Sequence, residues 1–378
     1  MIVESYQPGA YVFGPGAIEQ AGKVLRKKGL GRPLVIADDG IKKSGIADRL
    51  LGYLPSSAVL FSGFTGEPTL HLAERVTLAA REGNYDSVVG LGGGSSMDLG
   101  KMASIMATNE GHVSSYFTNE RGHAPLPKVL IPTTAGSGSE TSSFAVVKCD
   151  DGVKRFVYGP DVVADVSLVD PQLTKSCPKG SAAASGMDVL STGLEAYLSK
   201  LATQFSDVYA VDTVQLCHRW LARSILDRED VDALGGMSLA ASLSGIAAST
   251  PAAVNVGHCI AETLGPMYNI PHGRAVAATL PYMVEYNMEA SADRLRELAR
   301  TLGMGNELEL LSWLKVSVKE VGLETGFRKM GVPKEALPVA AKLIFETRQH
   351  EYGLPQINPA PITMAGLNEL LEKAWNGD

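Results

Sequence analysis

The sequence predicts an α/β N-terminal domain with a Rossmann-like parallel sheet, residues 1–178, followed by an all-α domain, residues 179–378. Three observations predict it. Short, wholly apolar runs alternate with helical spacing in the first half, as parallel strands covered on both faces require. A glycine cluster follows one of those runs directly. From about Pro178 onward, Ala- and Leu-rich helical stretches follow one another without strand patterning between them.

In chain order, 33–37 is the first strand and ends at the acidic pair Asp38-Asp39. Helical spacing covers 70–82. A second strand, 87–91, enters the run Gly90-Leu-Gly92-Gly93-Gly94-Ser95-Ser96-Met97-Asp98, and helical spacing resumes over 95–107. The third strand, 129–132, enters Thr133-Thr134-Ala-Gly-Ser137-Gly-Ser-Glu140. Beyond the boundary near 176–181, helices are predicted over 182–202, 206–226, 234–248, 256–264, 295–302, 308–321 and 364–375. Parallel sheets take ligands at the carboxyl ends of their strands, and a cleft between the two domains is the expected place for a cofactor.

Composition narrows the function classes. Lys and Arg total 34 against 41 Asp and Glu, a net charge of −7, with a pI near 5.6. An acidic balance without basic runs argues against nucleic acid or an anionic membrane as partner. The first residues lack a basic segment and break at Gly and Pro, which predicts no signal peptide. The most apolar stretch, 238–254, is threaded with Ser and Thr and reads as a small-residue helix packed inside the protein. Four scattered cysteines read as reduced thiols in a cytoplasmic setting.

Four glycines within residues 90–94 let the backbone approach an anion closely, and Ser95 is placed to cap the following helix. That helix start offers N–H groups and a positive dipole end to a pyrophosphate. The order differs from the usual dinucleotide fingerprint, because the acidic residue precedes the glycines by some fifty positions. Asp38 at its strand end suits a ribose diol and repels a 2′-phosphate, which favours NAD while leaving NADP possible. Farther along, Asp188, His258 and His272 form a set of one carboxylate and two imidazoles. Such a set suits a first-row divalent metal with an open position; histidines on apolar helices are also common as hydrogen-bonded core residues.

The ordered motifs GGGSSMD followed by Lys101, PTTAGSGSE, GMD…EAY and GHCIAETLG…YNIPHG resemble the iron-dependent (group III) alcohol dehydrogenases. Their superfamily also includes glycerol dehydrogenase and dehydroquinate synthase. The resemblance runs from about residue 13 to Asn287 and implies a nucleotide-binding domain, a helical domain and a metal between them. It implies cofactor contacts at Asp38, Gly92, Gly93, Gly94, Ser95, Asp98, Thr133, Thr134 and Ser137, with a basic contact at Lys154 or Arg155. It further implies a small alcohol or aldehyde substrate and a homo-oligomer, with homodimer the expected form.

The metal pattern departs from the family's at two places. Thr192 stands four residues after Asp188, where the alcohol dehydrogenases carry a histidine ligand, and Glu262 replaces a further histidine. The expectation is a three-ligand site at Asp188, His258 and His272 holding Zn or Fe, with metal loss as the alternative. Glu262, one turn after His258, or a metal-bound water is the expected acid/base, with His258 as ligand. Arg274 has two readings: a fork to a carboxylate or phosphonate on the substrate, or an ion pair within the protein. The predicted reaction is hydride transfer between NAD(H) and a metal-polarised carbonyl. The alternatives are a metal-independent reductase, a dehydroquinate synthase-like lyase and a non-catalytic nucleotide binder.

Overall fold

The computed structural model describes residues 4–118, 122–150 and 152–377. The chain divides into one unit spanning Glu4–Cys177 and a second from Pro178 onward. The first is built from β1 (Tyr11–Phe13), α1 (Ala21–Lys27), β2 (Pro33–Ile36), α2 (Asp39–Lys43), α3 (Ile46–Leu51), β3 (Val59–Phe61), α4 (Leu70–Glu82), β4 (Ser87–Gly92), α5 (Gly94–Met106), β5 (Lys128–Pro132), β6 (Phe144–Lys148), β7 (Lys154–Tyr158) and β8 (Val166–Val169).

Six strands form one sheet in the order β1-β8-β5-β4-β2-β3, and every pairing in it is parallel. Side chains alternate between its faces. Leu34, Ile36 and Val88 pack with Leu72, Val76, Leu99 and Met102 of α4 and α5. Val35, Val89, Leu91 and Ile131 pack on the other face with Ile18, Leu25 and Leu50. Burial on both faces explains why β2, β4 and β5 are continuous apolar runs legible in the sequence. The elements of this unit that patterning did not mark are the short helices α1, α2 and α3, the short strands β1, β3 and β8, and the separate antiparallel hairpin β6–β7.

The second unit is helical throughout its described residues: α6 (Lys179–Leu198), α7 (Gln204–Leu226), α8 (Val231–Ala248), α9 (Val256–Tyr268), α10 (His272–Asn287), α11 (Ala292–Thr301), α12 (Glu307–Glu320), α13 (Ala336–Leu343), α14 (Gln349–Glu351), α15 (Leu354–Ile357) and α16 (Met364–Asn376). Helices α6, α7 and α8 pack on one another, and α10 lies against both α6 and α9. The apolar stretch expected at 238–254 is instead Val231–Ala248, and by length and composition alone it would suffice to cross a membrane. Its apolar character runs around all its faces and 61% of it is buried, as a helix in the middle of a bundle requires. The helix expected over 182–202 begins three residues earlier and ends at Leu198.

Candidate functional site

In the first unit, the chain runs outward from β2 to β3 and then returns to place β4 on the other side of β2. Sheet order therefore reverses between β2 and β4, and ligands bind at the carboxyl ends of strands beside such a reversal. Asp38 and the glycine loop meet there. Asp38 Oδ1 accepts the N–H groups of Gly40 (2.7 Å) and Ile41 (3.0 Å), and its Oδ2 accepts the Ser96 hydroxyl at 3.3 Å.

Gly92 has φ 144°, a conformation other residues rarely adopt. The third strand's loop closes over the same place: Thr133 N–H donates to Gly92 O at 2.9 Å. A Cβ at Gly94 would stand 2.7 Å from Ser137 Oγ, and one at Gly93 would stand 3.5 Å from Thr134 Oγ1. The structure thus brings together Asp38, Gly92, Gly93, Gly94, Ser95, Thr133, Thr134 and Ser137. The N-cap of α5 is Gly93 rather than Ser95, and no side chain caps the helix. Its first N–H groups remain open to an anion such as a pyrophosphate.

Asp98 departs from the expected cofactor contact. It is buried, with Oδ1 accepting the Ser139 hydroxyl (2.6 Å) and Oδ2 the Val146 N–H (3.1 Å). It is a strut that ties the 133–143 loop and β6 to α5. Burial pushes its pKa up, against the pull of Lys101 3.8 Å away. Lys101, fully buried, donates to Ser142 O (3.1 Å), Ser142 Oγ (2.9 Å) and Phe144 O (2.7 Å). Desolvation lowers its pKa to about 8, partly offset by Asp98. Lys154 and Arg155 lie on β7, opposite Lys148 and Val147, and Lys154 pairs with Glu67 at 2.9 Å.

In the second unit, Asp188 comes from α6, His258 from the first turn of α9 and His272 from the first residue of α10. Glycines beside both histidines permit the approach. A Cβ at Gly273 would stand 2.4 Å from Ala184 O of α6, one turn before Asp188, and a Cβ at Gly257 would stand 2.7 Å from Glu195 Oε1. His258 Nε2 lies 3.1 Å and His272 Nε2 3.6 Å from Asp188 Oδ1. One ligand atom from each of the three falls within a 4.8 Å span.

These residues fit a divalent metal. Bonds of about 2.0–2.1 Å to nitrogen put tetrahedral ligand atoms about 3.3 Å apart, close to the two separations found. The outer nitrogens also have carboxylate neighbours. His258 Nδ1 is 2.7 Å from Glu195 Oε1, and His272 Nδ1 is 3.9 Å from Glu262 Oε1. For His258, Nε2 inward and Nδ1 hydrogen-bonded to a carboxylate is the arrangement that orients an imidazole ligand; the His272–Glu262 approach is an ion-pair distance, longer than a hydrogen bond.

Glu195 was not singled out by sequence reasoning. It follows Asp188 by seven residues, two turns along one face of α6, and that spacing was the available signal. Thr192 is half-buried on the same helix. Glu262 lies beside His272 and accepts the Tyr352 hydroxyl. Arg274 takes its second reading: Nε donates to Glu324 Oε2 at 3.2 Å and Nη2 to Oε1. Two residues after His272 on one helix, it projects to a different side, and its fork is filled by protein.

Burial alone would raise the Asp188 pKa, yet His272 and the hydrogen bond from His258 hold it far below the usual carboxylate range. For His258, burial works against charge, but Glu195 and Asp188 outweigh it and raise its pKa well above 6.5. In metal-free protein, the stabilisation from His258 is therefore complete below pH about 6.5 and is lost as pH rises through the raised value. Thermal unfolding of chelator-treated protein should show decreasing stability from pH 7 upward. His258→Gln should flatten that decline; an unchanged slope would assign it elsewhere.

The family model described as "Iron-containing alcohol dehydrogenase" matches residues 8–171, and "Fe-containing alcohol dehydrogenase family, C-terminal" matches residues 182–375. A long-chain-alcohol dehydrogenase of Geobacillus thermodenitrificans is 32% identical, covering 96% of this chain and 94% of its own. A 1,3-propanediol dehydrogenase of Klebsiella pneumoniae is 31% identical, over 89% and 90%. Among solved structures, sulfoacetaldehyde reductase from Bifidobacterium kashiwanohense in complex with NAD+ superposes with a TM-score of 0.92 at 26% identity, covering all of both chains. With both halves matched in order, the chain belongs to the iron-containing alcohol dehydrogenase family and is an oxidoreductase.

Proposed function

We propose that this protein interconverts a small alcohol and its aldehyde or ketone, using NAD(H) and a divalent metal held by Asp188, His258 and His272. The observation that carries the reading is the inward convergence of two Nε2 atoms on one Asp188 oxygen. NAD contributes the hydride, and the metal contributes Lewis acidity toward the carbonyl or alkoxide oxygen. The protein's share is placement. The open N-terminus of α5 and the Gly92–Gly94 turn hold the pyrophosphate, flanked by Ser95, Thr133, Thr134 and Ser137, with Asp38 on the ribose side. Lys154 and Arg155 supply positive charge from β7.

A metal held by these three ligands would have room for a substrate oxygen, since Thr192 stands where the alcohol dehydrogenases carry a fourth ligand. Zinc and iron both suit two nitrogens and one oxygen. Stripping the metal with a chelator should abolish turnover, leave NADH binding intact, and permit recovery with Zn²⁺ or Fe²⁺. Full activity in metal-free protein would favour the metal-independent reductase.

Glu262 is placed to move the proton. Its Oε1 faces His272 Nδ1, its Oε2 accepts from Tyr352, and Tyr352 is partly exposed, so protons can pass between this half-buried carboxylate and water through that hydroxyl. Glu262→Gln should lower kcat by about 10²-fold, a usual share for general acid–base catalysis, with the Kd for NADH unchanged. An undiminished kcat removes Glu262 from the reaction.

The substrate reading follows Arg274. With its fork held by Glu324, neutral aldehydes should be reduced with kcat/KM at least equal to that of carboxylated semialdehydes of the same length. Arg274→Ala should change the neutral value less than threefold. A preference for the anionic substrate that disappears in Arg274→Ala would assign Arg274 to an acidic substrate after all. A dehydroquinate synthase-like lyase needs a basic cluster for a phosphorylated sugar acid. Here Arg274, Arg294 and Arg348 are each paired with Glu324, Asp207 and Glu351. A homo-oligomer is supported by the edge strand β1, where exposed Tyr11 and Phe13 stack. The net charge of −7 and the scattering of the four cysteines along the chain support the cytoplasm as the setting.

A further inference from the structure

We propose that Glu195 is a positioning residue that keeps a proton on His258 Nδ1 and thereby commits His258 Nε2 to the metal. This rests on the metal reading of Asp188, His258 and His272.

Glu195 is fully buried in α6, and such a carboxylate persists only where donors surround it. Four do. Its Oε2 accepts the backbone N–H of Asn255 and that of His258 (3.4 Å), at the uncapped start of α9. Its Oε1 accepts the Ser191 hydroxyl at 3.0 Å and faces His258 Nδ1 at 2.7 Å. Asn255 Nδ2 also donates to the Glu195 backbone carbonyl at 3.2 Å. The two carboxylate oxygens therefore do different work: Oε2 fixes the backbone of the helix that bears His258, and Oε1 fixes its ring.

An acceptor-only Oε1 can be satisfied by the ring only if Nδ1 carries a proton. In the metal-free protein the ring also donates from Nε2 to Asp188 Oδ1, 3.1 Å away. A divalent metal would displace that Nε2 proton while the Glu195 carboxylate keeps the other on Nδ1, so the ring would ligate through Nε2. Gly257 belongs to the same device, since a Cβ there would stand 2.7 Å from Glu195 Oε1.

Exchanging carboxylate for amide separates ring placement from helix capping. In Glu195→Gln the two backbone donors of Asn255 and His258 require the amide oxygen at the Oε2 position. The amide NH2 must then face Nδ1, which can only accept, and the ring proton moves to Nε2, where it opposes metal. Glu195→Gln should therefore fold but bind Zn²⁺ about 10–100-fold more weakly, the usual effect of losing an outer carboxylate partner, in competition with a chromophoric chelator. A capping role alone predicts lowered thermal stability with Zn²⁺ affinity within twofold of wild type, and that result overturns the proposal.

A second measurement needs no variant. In zinc-loaded wild-type protein, long-range 1H–15N spectra of the His258 ring should show the proton on Nδ1 and the metal on Nε2; the reverse assignment overturns the proposal even if Glu195→Gln does not fold. Wild-type protein that takes up no Zn²⁺ or Fe²⁺ refutes the metal reading itself, before any variant is compared.

Discussion

A buried carboxylate needs positive charge or donors within reach, and Asp188 satisfies that need with two imidazoles instead of backbone N–H groups. That choice governs the rest of the helical unit's site. Each imidazole turns one nitrogen toward Asp188 and its other toward a glutamate. The result is a row, Glu195–His258–Asp188–His272–Glu262, in which negative and potentially positive groups alternate. Three carboxylates and two neutral rings carry −3. A divalent cation held among them would offset most of that charge.

The row can form only because three helices approach more closely than side chains ordinarily allow. Gly273 lets the start of α10 touch the backbone of α6 at Ala184, and Gly257 lets α9 pass over the Glu195 carboxylate. Alanine at either place would put a methyl group where an oxygen already lies, so these glycines are fixed by packing and not by backbone conformation. In the first unit, Gly94 meets Ser137 in the same manner, bringing together two loops from adjacent strands.

The sequence was most legible where burial is two-sided. Strands β2, β4 and β5 sit inside the sheet, so apart from Lys128 at the start of β5 every position is apolar or small and each run stands out. Strand β1, three residues long with Tyr11 and Phe13 exposed on the sheet's edge, carries no such pattern. The metal cluster was legible as a set of residue types, while its supporting carboxylate was not: Glu195 lies in a helix whose small residues look alike in sequence, and its four partners are supplied by Ser191 and by residues some sixty positions away. Asp98 and Arg274 show the converse. Motif position marked Asp98 for the cofactor and left Arg274 between a substrate contact and an ion pair; Ser139 and Val146 engage both oxygens of the first and Glu324 the fork of the second, and partners so distant in sequence leave no local signal.

Thr192 has its physical meaning in this setting. One turn beyond Asp188 and one turn before the level of Glu195, it occupies the stretch of α6 that faces the cluster. A histidine there would add a third imidazole and close the coordination shell. It would also stand without a carboxylate of its own, since Glu195 and Glu262 are already committed to His258 and His272. Threonine avoids both consequences. Under the proposed reading, the two departures from the family pattern therefore work together: Glu262 supplies the carboxylate that faces His272, and Thr192 leaves the remaining metal position to the substrate oxygen.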